Sequence, residues 1–312
     1  MKLSVIIPCC NEKANVKIVY EALNKIFYNK KYKYELIFVN DGSKDDTLKN
    51  LKSIVKNAED DIKIINFSRN FGKEAAMYAG LKESSGDYTA IIDADMQQNP
   101  SLLLKMISIV EKDENIDSVA AFQEQRHEGK ILAFFKKRFY KLINKITDVE
   151  FVNGASDFRI FRRTVVDAIL SMTEYYRFSK GIFSFVGFNT YYMPYQVNER
   201  ANGKSKWSFI KLFKYAIDGI VSFTTTPLKL ATYLGMFISF FSFIYLIIIV
   251  IKTLAMGIDV PGYASLIGII LLLGGIQLLA LGIIGEYLSR TYIENKRRPI
   301  YIAKEILKSK KD

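Results

Sequence analysis

Histidine and cysteine are almost missing from this chain. There is one histidine, His127, and two cysteines, Cys9 and Cys10, side by side after Pro8. A lone histidine beside Arg126 has no second one with which to build a histidine-ligated metal centre, and it reads as a surface residue. Adjacent cysteines supply no disulfide framework, which suits a reducing compartment. No loop carries a Gly-x-Gly-x-x-Gly or a Walker pattern, so dinucleotide and P-loop chemistry are disfavoured. The first apolar run, Leu3 to Ile7, is too short for a secretory signal and reads as a strand. Acidic residues are outnumbered, 32 against 44 basic ones, leaving a net charge of +12. That surplus calls for an anionic partner: nucleic acid, a membrane surface or a phosphorylated substrate.

What is present is an alternation of short apolar runs and amphipathic stretches. Strands are expected at Leu3–Ile7, Glu35–Val39, Ile62–Phe67, Tyr88–Ile92 and near Asp117–Phe122. Helices are expected between them: 13–28, from a cap at Asp45 or Asp46 to about Val55, Lys73–Glu83, and from Pro100 to about Lys112. Four repeats of this pattern predict an α/β fold with a mostly parallel, doubly wound, Rossmann-like sheet. Such sheets bind ligands beyond the carboxyl ends of their strands. The polar clusters Pro8–Glu12, Asp41–Ser43, Ser68–Gly72 and Asp93–Gln97 all fall at such ends, so they should meet on one rim.

The last of these clusters reads Asp93-Ala94-Asp95-Met96-Gln97. On an ideal strand two carboxylates one residue apart point the same way. They repel unless a cation lies beside them, and so few hard oxygen ligands suit Mg²⁺ or Mn²⁺ completed by water and substrate phosphates. A solvated acidic turn is the bland alternative. Further on, Asn153–Phe161 alternates polar and apolar residues and sets Asp157 beside Arg159 and Arg162. Phe185–Val197 reads as a strand closing the first domain near Arg200.

Between them, residues 130–146 form a basic amphipathic helix, suited either to a core with a solvated face or to an anionic membrane surface. Then the composition changes. Lys206–Lys214 is basic and aromatic, in the style of a juxtamembrane segment. Tyr233–Ile251 and Val260–Gly285 hold no charge, and each has the roughly twenty residues that span a hydrocarbon core. Cations crowd both outer flanks, so both should face the cytoplasm and the two spans should form a hairpin. The expected domains are 1–200, a basic juxtamembrane segment 201–231, a hairpin 232–288 with spans at about 233–251 and 263–285, and a basic cytosolic tail 289–312.

With these parts in place the sequence resembles the inverting GT-A glycosyltransferases of family 2, in their polyprenyl-phosphate branch. The resemblance is carried by Ile6-Ile7-Pro8 with Asn11-Glu12; Asn40-Asp41-Gly42-Ser43; Arg69-Asn70-Phe71-Gly72 with Ala75-Ala76; Asp93 to Gln97; Ser156-Asp157-Phe158-Arg159; Asn202 to Trp207; and Gly282 to Tyr287 through Arg297-Arg298-Pro299. Three places depart from the family pattern: Cys9-Cys10, Lys73 where a histidine is common, and Gln98-Asn99 before the proline.

The resemblance implies a hexose transfer from a nucleotide sugar to a polyprenyl phosphate such as undecaprenyl phosphate, for cell-envelope glycosylation. UDP-glucose leads among donors, with UDP-GlcNAc, UDP-galactose, GDP-mannose or a processive polysaccharide synthase as alternatives. It implies a multi-pass protein of the cell membrane with its catalytic domain cytoplasmic, a lipid bilayer but no nucleic acid as partner, and a homo-oligomer left open. By resemblance the nucleotide sugar meets Pro8, Asn11, Glu12, Asp41, Ser43, Lys73, Asp93, Ala94, Asp95 and Gln97. Asp95 is the metal ligand, with Asp93 on the ribose or behind the metal, and the metal is Mg²⁺ or Mn²⁺. Asp157 is the candidate base or acceptor-positioning group, a salt bridge to Arg159 or Arg162 being the alternative. The acceptor phosphate is expected among Arg126, Arg138, Arg159, Arg200, Lys204 and Lys206.

Overall fold

A computed structural model describes residues 1–28, 32–58, 60–123, 138, 140–141, 143–147, 149–195, 218–256 and 262–309. The first part alternates as expected: β1 (Lys2–Cys9), α1 (Val16–Phe27), β2 (Lys33–Asn40), α2 (Thr47–Asn57), β3 (Asp61–Phe67), α3 (Lys73–Glu83), β4 (Tyr88–Ile91), α4 (Leu102–Lys112) and β5 (Ser118–Gln123). Then come β6 (Ala155–Arg162), α5 (Arg163–Ser171), α6 (Ser179–Phe185), β7 (Thr190–Tyr195), α7 (Thr226–Met256), α8 (Tyr263–Asn295) and β8 (Ala303–Lys308). The strands form one mixed sheet in the order β7-β5-β6-β4-β1-β2-β3-β8.

Its centre is parallel: β3, β2, β1 and β4 run the same way. These strands are apolar on both faces because helices cover both. Val5, Ile6 and Ile7 on β1 and Leu36 to Val39 on β2 are fully buried. Helix α1 buries one stripe, Val16, Val19, Leu23 and Phe27, at helical spacing; each such side chain contributes about 1.5–3 kcal/mol. Helix α3 lies closer to the sheet. A Cβ on Gly80 would stand 2.2 Å from Ile6 Cγ2, so only glycine lets this helix settle on β1. That contact sets where the first turn of α3 emerges at the rim.

Several expectations are corrected. Phe185 closes helix α6 rather than opening a strand; Gly187, at φ 72°, turns the chain, and pairing to β5 begins only at Thr190. Asp46 makes no side-chain cap on α2, whereas Asp45 takes the N–H of Thr47 at 3.0 Å. The supposed tail holds a strand: β8 pairs antiparallel with β3 from Lys308 opposite Lys63 to Ala303 opposite Phe67. The two apolar helices run past their expected ends, α7 to Met256 and α8 through Glu286 and Arg290 to Asn295. Of the basic helix, the described residues from 138 to 146 are helical, with Ile143 buried and Arg138, Lys141 and Lys145 exposed. The rest of that helix, and residues 196–217 of the juxtamembrane region, lie outside the described residues.

The chain divides into two compact units: Met1–Ala216 with Arg298–Asp312, and Ile217–Arg297. Within the second, Arg290 bonds Asp218 Oδ1 at 2.7 Å and the Tyr287 hydroxyl donates to the Thr224 carbonyl at 2.6 Å. Helices α7 and α8 both contain stretches long and apolar enough to cross a membrane, and none of either stretch is buried.

Candidate active site

The rim forms because β1, β2, β3 and β4 end together. Asp41 follows β2 and is buried, 3% exposed. Its carboxylate gathers the loop after β3: Asn70 Nδ2 donates to Oδ2 at 2.8 Å, the Phe71 N–H to Oδ1 at 2.6 Å, and the Gly72 N–H to Oδ2 at 3.0 Å. Burial raises the Asp41 pKa, and the two backbone donors oppose that. Beside it, the Asn11 N–H donates to Ser43 Oγ at 2.9 Å, Asn11 Oδ1 accepts from the Lys44 N–H, and the Glu12 N–H donates to Thr47 Oγ1. Asn11 sits at φ 55°, in the left-handed region that asparagine tolerates better than most residues.

Gly42 holds this corner together by its lack of a side chain. At φ +58° a Cβ would stand 2.3 Å from the backbone of Arg69 and Asn70. Gly42→Ala must therefore push the loop off Asp41. A loss of roughly 2–3 kcal/mol in stability is expected, strain and clash together. Melting curves check it; a variant with the wild-type midpoint would show that the loop is not seated on Gly42.

The carboxylates of Asp93 and Asp95 lie beyond the strand, since β4 ends at Ile91. Strand alternation therefore does not orient them, contrary to expectation; the turn does. Asp95 Oδ1 accepts the Gln97 N–H at 3.1 Å across Met96, which sits at φ 60°. A non-glycine residue held there costs of order 1–3 kcal/mol, and such strain gathers at functional sites. Ala94 is buried, and Gln98 Nε2 reaches Asp93 Oδ2 at 3.4 Å.

Asp157 arrives from the neighbouring strand. Antiparallel pairing sets Ile91 opposite Arg159, so two residues further Asp93 and Asp157 come abreast. Lys73 stands between them, its Nζ 2.7 Å from Asp93 Oδ1 and 2.8 Å from Asp157 Oδ2. Those two oxygens are at most about 5.5 Å apart, where like charges repel by about 3 kcal/mol at an effective dielectric of about 20. The ammonium offsets that repulsion. Despite burial, the Lys73 ammonium holds the Asp157 carboxyl well below the usual carboxylate range, and Lys180 and Arg159 add to this. The same two carboxylates raise Lys73 far above an ordinary lysine.

Lys73 is thus the partner that sequence reasoning sought for Asp157 in Arg159 or Arg162. Arg162 is spent elsewhere, donating to the carbonyls of Ile116 and Val110. Arg159 is buried, its Nε on the Ser156 carbonyl and its guanidinium over the Phe183 ring. Next to Lys73, Glu74 accepts from the N–H of Ser179 at 2.9 Å and from its hydroxyl, so α3 clasps the start of α6. Burial, then the Asp157 charge, pushes the Glu74 carboxyl up to about 7. Sequence reasoning missed Glu74 and Ser179, because neither lies in a cluster at a strand end.

Of the expected acceptor residues, Arg138 is exposed on the described helical stretch. Arg126, Arg200, Lys204 and Lys206 lie outside the described residues. Among the described residues, no group of three or more His, Cys, Asp or Glu side chains could hold a metal by itself. Asp95 could hold a divalent cation that drew its other oxygens from water and substrate, a donor set that suits Mg²⁺ or Mn²⁺.

Comparison with known proteins matches residues 4–170 to the model of Glycosyl transferase family 2 and residues 226–291 to that of the GtrB C-terminal hairpin. CsbB of Bacillus subtilis (strain 168), named as a glycosyltransferase, is 46% identical over 303 residues, 97% of this chain and 91% of that one. The bactoprenol glucosyl transferase of Shigella phage SfV is 39% identical, covering 97% of this chain and 98% of its own. The prophage bactoprenol glucosyl transferase homolog of Escherichia coli (strain K12) is 38% identical, covering 99% of this chain and 100% of its own.

Proposed function

The chain belongs to glycosyl transferase family 2, and from that membership we propose that it transfers glucose from UDP-glucose, with inversion, to a membrane-borne polyprenyl phosphate. The observation that carries the reading is the meeting of Asp93, Asp95, Asp157 and Lys73 on one rim, in a chain that goes on into two exposed apolar helices. Relatives named for bactoprenol glucosyl transfer match it over nearly their whole length, hairpin included.

In this reading the loop gathered by Asp41 forms the nucleotide side of the pocket together with Pro8, Asn11, Glu12 and Ser43. Asp93 faces the ribose, and Ala94 and Gln97 shape the turn around the diphosphate. Asp95 holds the Mg²⁺ or Mn²⁺, whose contribution is to neutralise the leaving diphosphate. The nucleophile is a phosphate oxygen, mostly ionised already because the second pKa of a phosphate monoester is about 6. No strong base is required, and Asp157 would be a weak one, since Lys73 holds it ionised. Asp157 orients the acceptor side instead. Arg126, Arg138, Arg200, Lys204 and Lys206 are the cations proposed to bring the lipid phosphate in, while the expected Arg159 is buried against Ser156 and Phe183 and supports the site from within.

The test is to incubate the purified chain with labelled UDP-glucose, Mn²⁺ and polyprenyl phosphate. A single-sugar lipid is expected; a polymer, or no product with this donor or with UDP-GlcNAc, UDP-galactose or GDP-mannose, would overturn the reading.

The sheet constrains the topology. Strand β8 follows the hairpin and β3 precedes it, yet the two are paired. That pairing supports a reading in which both flanks of the hairpin lie on one side of a membrane, one helix crossing and the other returning. The cations on both flanks favour the cytoplasmic side for them. Reporter fusions after Asp312 and within 252–259 should give opposite signals, the first cytoplasmic. An external signal after Asp312 would reverse the assignment.

A further inference from the structure

We infer that Lys73 is the positioning residue of the transfer, fixing Asp93 on the donor side and Asp157 on the acceptor side at one separation; this rests on the glycosyl-transfer reading above. Asp157 stands on β6 and Asp93 on the turn that follows β4, and the two are brought near each other by the β4–β6 register, which ends with Ile91 opposite Arg159. Left alone they would swing apart. A single ammonium in contact with both is what makes them one unit.

The backbone that carries Lys73 is secured on both sides. Before it, the Gly72 N–H is bound to Asp41, and after it Glu74 grips the start of α6 through Ser179. The donor loop, the acceptor strand and α6 therefore share the first turn of α3 as their junction. The Lys73 side chain keeps 42% of its exposure while Asp93 and Asp157 keep 26% and 18%, so the ammonium sits at the mouth of a half-buried acidic pair, open to a substrate. An ammonium has three N–H groups, enough to serve both carboxylates at once, which a neutral side chain could not do. A positive helix end lies directly behind it.

The experiment compares Lys73→Met, Lys73→Arg, Asp157→Asn and the Lys73→Met/Asp157→Asn double variant in the full chain. Melting temperature, the affinity for UDP with Mn²⁺ by calorimetry, and kcat and KM for each substrate are measured. Lys73→Met is expected to melt below wild type, because Asp93 and Asp157 then face each other uncompensated, with the double variant regaining part of that loss. UDP affinity should stay within about threefold, while kcat falls about 100-fold, the scale of an ångström of misplacement. Lys73→Arg should recover about tenfold, since charge and reach survive but the compact point charge does not. The double variant should be no slower than Lys73→Met, because two residues acting as one unit are not additive. A lower melting point without the kcat loss would make the pair merely structural, and UDP affinity falling in step with kcat would make Lys73 a donor contact. Multiplying single defects, or no recovery with arginine, would also overturn the inference. Absence of transfer by the wild-type chain would fell the underlying reading itself, which sets that failure apart from failure of the variants alone.

Discussion

Asp95→Asn should lower turnover by about a thousandfold or more while leaving the melting temperature where it is, the scale seen when preorganised charge stabilisation is removed. The substitution separates charge from shape. Asparagine keeps an oxygen to accept the Gln97 N–H, so the turn over Met96 survives. What disappears is the negative charge that would hold a divalent cation against the diphosphate. Asp93 cannot take over, because Lys73 and Gln98 already face its oxygens. Sugar transfer measured against added Mn²⁺, beside a melting curve, gives the result. Full activity of this variant in excess EDTA would sink the metal assignment.

Removing residues 303–312 is the second large effect expected, and it falls on the fold. Strand β8 covers β3 through a ladder and a set of side-chain links. Asn66 Nδ2 donates to Glu305 Oε1, Lys52 pairs with Glu305 at 2.8 Å, and Ser309 Oγ takes the N–H of Ile62. Asn66 in turn supports Asn40, next to Asp41, through a 2.8 Å bond. With net worths of about 0.5–1.5 kcal/mol per hydrogen bond, the loss should total several kcal/mol. The melting midpoint should fall by roughly 10 °C. The bare edge of β3 would also invite pairing between chains. Calorimetry and gel filtration in detergent decide; a truncated protein with an unchanged midpoint and a single sharp peak would show that β8 is dispensable.

The parallel centre and its rim were legible because local patterns carry them. Apolar runs such as Val5-Ile6-Ile7 and Leu36 to Val39 mark strands buried on both sides, and the alternation with helices dictates where their polar ends collect. What could not be read depended on distant partners. Lys73 stood out only as a departure from a family pattern; its bridge exists because β6 pairs with β4 in one register, which no local spacing states. Strand β8 was hidden by its own charges, Lys304, Glu305 and Lys308, which read as a tail; Lys304 and Lys308 are exposed on the edge strand, whereas Glu305 turns to Asn66 and Lys52. Phe185 is apolar and near a β-like run, yet Gly187 turns the chain and leaves it on a helix.

The pairing of β8 with β3 also bears on how the molecule is made. Ile62 and Ser309 are 247 residues apart, with both apolar helices between them. During translation β3 is an open edge for the whole time the two apolar helices are being synthesised, the hazard attached to pairings of long sequence separation. The sheet can be completed only after both apolar helices have been made and the chain has come back to β3. A molecule that failed to bring it back would keep its unpaired edge and stay recognisable to chaperones and proteases. Closure of the last strand is therefore a late step, and through Asn66 and Asn40 it reaches the end of β2 where Asp41 stands.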